Sequence, residues 1–390
     1  MDRTLQALFA LLQAGLWGRC DDAAASVFPL SAEEWERVFT LARQQTVTGI
    51  AFRGLDFLPE EAAPPMVVAA KWMAHADHIE QSNRIMNGTV AKLYGHFASA
   101  GVEAVLQKGQ GVAAMYPEPL LRECGDIDLY FPGHDGVSDP LAGIPGAVRK
   151  RQPDNSWSYL VDGIVVEHHA DLVDIQSLRA KRYVKRLIEE KGFEKVVTVD
   201  GVEVMVPAPE VNLLLLSSHI LKHAFGVGIG LRQFCDYAVA RRYYEGRVNE
   251  EEMREIWRMT GLEKWEELLE EFIGRFLDSD CVLARNDNED FQDDRCHFES
   301  CTCHPEHYPC HSERSEESFD KKKTDVLLDI VLKGGNFGVY SEDRENASHA
   351  RWVRKMQTFR SLAGNVRFAF RYAPREWFWT IVQLLGGQFR

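Results

Sequence analysis

Positive charge is scarce in this sequence. Its 45 Lys and Arg face 59 Asp and Glu, which leaves a formal net charge of −14. Non-specific nucleic-acid binding needs a basic surface, so a nucleic-acid partner is not expected. Long apolar runs are missing as well: no uninterrupted stretch is long enough to span a bilayer, and no membrane partner is expected. No basic leader is expected, because Asp2 and Arg3 cancel. Leu5, Leu8, Phe9, Leu12 and Leu16 recur instead at the spacing of an amphipathic helix. The expected compartment is the cytoplasm, with reduced thiols.

Cysteine is thinly spread outside one segment. Of the eight, Cys20, Cys124, Cys235 and Cys281 are scattered, and Cys296, Cys301, Cys303 and Cys310 crowd into residues 285–323. That segment loses its aliphatic residues and shows no helical or strand period. It reads as a disordered low-complexity insertion. Its eleven acids and six bases supply −5 of the total charge, so the remainder is less acidic than the whole. Cys296 and Cys301 have a spacing that zinc sites permit, but Cys301-x-Cys303 is too tight for the usual knuckle. Adventitious metal binding by these thiols and their histidine neighbours is expected, not a dedicated site.

What is present is ordinary globular material, with 45% hydrophobic and 27% charged residues. The length suggests two or three subdomains. Residues 1–100 read as helical. Ser31 and Glu34 form a capping-box pattern opening a helix through Arg43, and a long helical pattern runs from about Pro65 to Ala100. The texture changes at Gly101. Val102–Leu106 and Asp126–Phe131 read as strands, and Asp162-Gly163 and Asp200-Gly201 read as hairpin turns. Residues 101–210 therefore form an α/β core. Residues 211–284 return to helix, and 324–390 form a C-terminal helical region. The fold class is α+β: a small mixed sheet flanked by N-terminal and C-terminal helices.

The sharpest chemical feature is Asp126-Ile127-Asp128. On a strand, i and i+2 share a face, so two carboxylates stand side by side and raise each other's pKa. A divalent cation relieves that repulsion, and Mg²⁺ favours one or two carboxylates with phosphate oxygens and water. Upstream, Lys108-Gly109-Gln110-Gly111 lies between a strand and a helix, where backbone N–H groups suit a triphosphate. Downstream, Glu167 sits on the second strand of a hairpin and supplies a third carboxylate. Three acids beside a phosphate-holding turn suit two-metal phosphoryl transfer. His168 and His169 alternate faces, and one of them is expected to pack and not to ligate. Lys222, His223 and Asp236 lie in helical regions able to cover the site.

The run LQKGQGVAAMYPEPLLRECGDIDLYF, with VVEHH about forty positions on, resembles the uncharacterised nucleotidyltransferases of the polymerase-β-like superfamily. The segments LLLLSSHILKHAF, LRQFCDY and GGNFG resemble that family too. The resemblance covers most of the chain outside 285–323. One departure is that Gly109 is followed by Gln110, where Gly-Ser or Gly-Gly is usual.

The resemblance implies a nucleotidyltransferase that moves a nucleoside monophosphate from an NTP, expected to be ATP, to a hydroxyl acceptor. The acceptor is a small molecule, a sugar or a protein side chain. Asp126, Asp128 and Glu167 would hold Mg²⁺ or Mn²⁺, and Glu167 could also act as base. Lys108, Gly109, Gln110 and Arg122 would contact the nucleotide. Lys108 also reads as a solvated strand-end residue, and Arg122 as a brace paired with Asp126 or Glu123. The altered turn motivates a second expectation, a non-catalytic NTP-binding or interaction module. The three acids should converge near Gly109, and an opposite-facing Glu167 would defeat the three-acid reading. A third reading is a zinc enzyme using the Cys/His segment. That reading would be sunk if deleting 285–323 kept fold and activity.

Overall fold

Apolar residues change period along the chain, from 3.6 to two and back, and the architecture follows that change. The computed structural model describes residues 1–20, 22–133, 144, 147–151, 157–198, 200–226, 228–278, 321–334 and 364–386. After a four-residue turn of helix at Asp22–Ala25 is set aside, four helices come first: α1 (Arg3–Trp17), α2 (Ala32–Gln44), α3 (Thr48–Gly54) and α4 (Met66–Ala100). The capping box opens α2 as expected: the Glu34 N–H donates to Ser31 Oγ at 3.2 Å, and the Ser31 N–H donates to Glu34 Oε2 at 2.8 Å.

Seven strands follow: β1 (Val105–Leu106), β2 (Asp126–Tyr130), β3 (Val148–Arg151), β4 (Trp157–Val161), β5 (Ile164–His169), β6 (Phe193–Val197) and β7 (Glu203–Pro207). Helix α5 (Gln110–Ala113) lies between β1 and β2, and α6 (Leu178–Lys191) between β5 and β6. After the sheet come α7 (Pro209–Phe225), α8 (Leu231–Tyr243), α9 (Glu250–Thr260), α10 (Glu263–Phe276), α11 (Lys321–Gly334), α12 (Val366–Tyr372) and α13 (Pro374–Gly386). The expected α+β class, a mixed sheet with helical flanks, is what forms.

Several local expectations need correction. The first strand was expected over 102–106 but pairs only at Val105 and Leu106. The Val102 N–H is committed to the Phe97 carbonyl at 2.9 Å, closing α4 at Gly101 (φ 66°). Strand β3 and helix α6 were not anticipated. In α6 only Ala180, Val184 and Leu187 are buried, a stripe too narrow to stand out among charges. Helix α11 begins at Lys321, inside the stretch expected to be disordered. Residues 285–320, with their four cysteines, and Gly335 to Gly338 of GGNFG lie outside the described residues. A deletion should therefore stop at residue 320.

Both hairpins form. Asp162 (φ 50°) and Gly163 (φ 83°) both take positive φ between β4 and β5. Between β6 and β7, Gly201 alone of the pair does so, and its N–H donates to the Thr198 carbonyl at 2.9 Å.

The strand order is β3-β4-β5-β2-β1-β7-β6. Its centre is the parallel pair β2–β5, with Asp128 opposite Glu167. One face of the sheet carries Leu106, Ile127, Leu129, Val166, Val204 and Val206. These pack with Met86, Val90, Leu93 and Phe97 of α4 into one apolar cluster. The second and larger cluster joins α1–α3, the first turns of α4 and helices α6–α12. Alternation then sends Asp126, Asp128, Glu167 and His169 to the face away from α4.

The loop that feeds β2 is braced by long-range polar contacts. Asn83 of α4 donates to the carbonyls of Leu120 (2.6 Å) and Arg122 (2.8 Å). Glu123 accepts from the Thr48 N–H at 2.8 Å. Gly49 must be glycine, since a Cβ there would meet the Leu121 carbonyl oxygen at 2.1 Å. Arg122 is buried and forms a bidentate pair with Asp236 of α8, Nε and Nη2 each donating at 2.7 Å. The Tyr116 hydroxyl donates to the same Asp236 carboxylate at 2.7 Å. Removing one member leaves a buried charge unpaired. Arg122→Ala should cost about 3–5 kcal/mol, and the double change Arg122→Met with Asp236→Leu should recover much of it, as measured by urea unfolding.

Candidate functional site

Strand periodicity and parallel register together build the site. Asp126 and Asp128 are two apart on β2, and Glu167 and His169 are two apart on β5. All four share the face left free by α4. His169 Nε2 lies 2.5 Å from Asp128 Oδ1 and 3.5 Å from Glu167 Oε2. Ligand-type atoms of Asp128, Glu167 and His169 all fall within 4.8 Å of one another. Glu167 therefore faces the aspartates. The tight cluster nevertheless differs from the expected one, because His169 takes the third place and Asp126, on the same strand face, is not among its members. The histidine pair divides as alternation requires: His168 is buried with its ring 4.8 Å from Phe131, on the α4 side.

The electrostatics follow from this crowding. Burial raises the Asp126 carboxyl above its ordinary range, and the Asp128 charge raises it further. Burial and the same Asp128 charge raise Glu167. Burial also works against an ionised Asp128, but the Lys108 ammonium and the His169 hydrogen bond outweigh it and hold the group well below the usual carboxylate range. Lys108 Nζ is 3.3 Å from Asp128 Oδ2. Among the described residues no hydrogen bond or ion pair holds the Asp126 carboxylate, and only more distant charges of Lys108, Arg232 and His169 offset it. Three carboxylates and an imidazole, with one carboxylate unpaired, suit a divalent cation.

The expected nucleotide contacts divide. Gly109 (φ 57°, ψ −122°) lies against β2, where an added Cβ would sit 3.4 Å from the Asp126 carbonyl oxygen. Gln110 is buried, and its Nε2 donates to Asn87 Oδ1 at 2.6 Å, so its side chain braces α4. Arg122, expected to contact phosphate, is not placed to do so. Its Nε and Nη2 bind Asp236 and its Nη1 binds Cys124 Sγ at 2.8 Å. It is a brace, though with Asp236 and not with Asp126 or Glu123. Lys222 pairs with Asp174.

One feature was missed in the sequence, and a second was seen only in part, since His223 was a candidate and His219 was not. Arg232, one turn before Asp236 on α8, donates from Nη1 to the Glu123 carbonyl at 2.6 Å. Its charge is felt at Asp126, and its buried Nε finds no partner among the described residues. No local signal marked it, because Glu123 lies 109 residues away along the chain. His219 and His223 of α7 pack edge to face at 4.4 Å. Burial and then neighbouring positive charge, Lys108 included, push His219 well below its ordinary value and His223 down to about 3. Both rings are therefore neutral at physiological pH and lie close enough to the site to feel Lys108.

A family model described as uncharacterised nucleotidyltransferase matches residues 31–278. The chain belongs to this family. No curated protein and no solved structure matches it. The family match spans α2 through α10, so it takes in the acid cluster, the Arg122–Asp236 brace and Arg232. Among the described residues no helix is long and apolar enough to cross a membrane.

The opposite pKa directions give a test. The charged form of Asp126 costs stability at every pH above its raised folded value. The charged form of Asp128 adds stability that is present at neutral pH and lost as pH falls through its depressed folded value. At pH 7, Asp126→Asn should raise Tm by ~1–2 °C, the equivalent of about 1 kcal/mol, while Asp128→Asn should lower it. Differential scanning calorimetry of both variants reads the two signs.

Proposed function

We propose that the protein is a divalent-metal-dependent nucleotidyltransferase that moves a nucleoside monophosphate from an NTP to a hydroxyl acceptor. One observation carries this reading: the β2–β5 register brings Asp128, Glu167 and His169 within 4.8 Å, with Asp126 on the same face. Divalent ions, when bound, supply positive charge to the entering and leaving oxygens of the displacement. Asp126, Asp128 and Glu167 are the carboxylates that hold them. Lys108, beside Asp128, and Arg232, whose charge reaches Asp126, are the cations that meet phosphate oxygens. Arg232 takes the part that sequence reasoning assigned to Arg122.

Glu167, raised by burial and by Asp128, is the base. It accepts the proton of the acceptor hydroxyl as that oxygen bonds to the α-phosphorus. The bond to the β-phosphate breaks and pyrophosphate leaves. The half-buried rings of His219 and His223 on α7, which feel the Lys108 charge, lie near this side of the site. The expected ion is Mg²⁺ or Mn²⁺, the expected nucleotide ATP and the expected compartment the cytoplasm. The acceptor is a small molecule, a sugar or a protein side chain; nucleic acid is disfavoured by the net charge of −14.

A second reading, a module that binds NTP without turnover, is favoured by one detail. The glycine turn opens a helix of only four residues, and Gln110 is turned away onto Asn87. Pyrophosphate release and titration calorimetry separate the two readings. Asp126→Ala with Asp128→Ala should reduce pyrophosphate release from NTP by on the order of 10³-fold or more while the protein stays folded. Unchanged release would refute the assignment, and nucleotide binding without release across an acceptor panel would favour the module.

A further inference from the structure

His169 is the member of the cluster that a purely carboxylate site does not need. It stands two residues from Glu167 on the same face of β5, and its Nε2 approaches both Asp128 Oδ1 (2.5 Å) and Glu167 Oε2 (3.5 Å). Donor atoms around one ion at ~2.1 Å lie roughly 3 Å apart, and these two separations straddle that spacing. The ring is not locked in the core. Its side chain is 25% exposed, whereas its neighbour His168 is buried against Phe131. The 2.5 Å contact of Nε2 with Asp128 Oδ1 is a hydrogen bond whose direction follows the ring tautomer. An ion bound there would exchange that hydrogen bond for bonds from Asp128 and from the Nε2 lone pair, with the ring hydrogen at Nδ1.

We propose that His169 is an inner ligand of the ion, and that the site therefore selects a borderline first-row divalent cation over Mg²⁺. Mg²⁺ is hard and prefers oxygen, whereas imidazole suits the later first-row ions. A site with one nitrogen and two carboxylates gains more from Co²⁺ or Zn²⁺ than a site of oxygens alone. The inference rests on the metal-dependent reading above, which itself needs only the carboxylates.

The test uses the full chain and the metal ions alone. Electron spin-echo modulation of bound Mn²⁺ should show nitrogen coupling, and the pattern should change when the protein is grown with ¹⁵N-histidine. His169→Gln should abolish that coupling and weaken Co²⁺ binding by on the order of tenfold or more, leaving Mg²⁺ affinity nearly unchanged. Equal losses for Co²⁺ and Mg²⁺, or Mn²⁺ bound at Asp126 and Asp128 without nitrogen coupling, would overturn it, since His169 would then only orient Asp128. The wild-type spectrum decides the point even if the variant fails to fold. If Asp126→Ala with Asp128→Ala leaves divalent binding unchanged, the underlying metal-dependent reading fails as well, and that result is separate from the other two.

Discussion

The parallel pairing of β2 with β5 is the constraint on which the molecule turns. It sets Asp128 directly opposite Glu167 and places Asp126 and His169 on the same face. Packing side chains with like charge on one half-buried face is unfavourable, and the raised carboxyls of Asp126 and Glu167 record that cost. Apolar packing on the other face keeps the arrangement in place. There Ile127, Leu129 and Val166 lock against α4, so neither strand can slip by one residue without turning its apolar set outward.

The helical regions hold the sheet's acid face from outside. Helix α8 supplies both Asp236, which grips the Arg122 loop, and Arg232, whose charge reaches Asp126. Helix α7 brings the neutral pair His219 and His223 under the influence of Lys108. At the far end of the chain, the Glu376 carboxylate of α13 accepts from the N–H groups of Gln176 (2.6 Å) and Ser177 (3.0 Å), at the start of α6. A buried ion pair such as Arg122–Asp236 adds less to stability than to geometry. Its value here is that it ends the loop in one position, from which Asp126 enters β2.

The site combines opposed demands. Asp128 is held ionised by Lys108 and His169, ready to bind a cation, while Asp126 and Glu167 are poised to be relieved by one. Such a face is a poor structural element taken alone. It makes physical sense as a receptor for positive charge, which the family assignment to the uncharacterised nucleotidyltransferases supports.

Much of this was legible in the sequence wherever the physics is local. The capping box at Ser31, the turn at Asp162-Gly163 and the shared face of Asp126 and Asp128 depend on residues two to four positions apart. Glu167 was legible because a hairpin fixes the alternation of its strand. The partners of Arg122, Gln110 and Arg232 were not. Asp236 is 114 residues from Arg122, and Asn87 is 23 residues before Gln110 on another element. A guanidinium reads the same in sequence whether it will meet a carboxylate or a phosphate. His169 was ambiguous for a related reason, since only the register of β5 against β2 decides that it, and not His168, faces the acids. The sequence by itself determined which side chains share a strand face. The tertiary structure decided which strands lie together and which charges end as neighbours, because those pairings are set by packing of the whole core and not by any nearby residue.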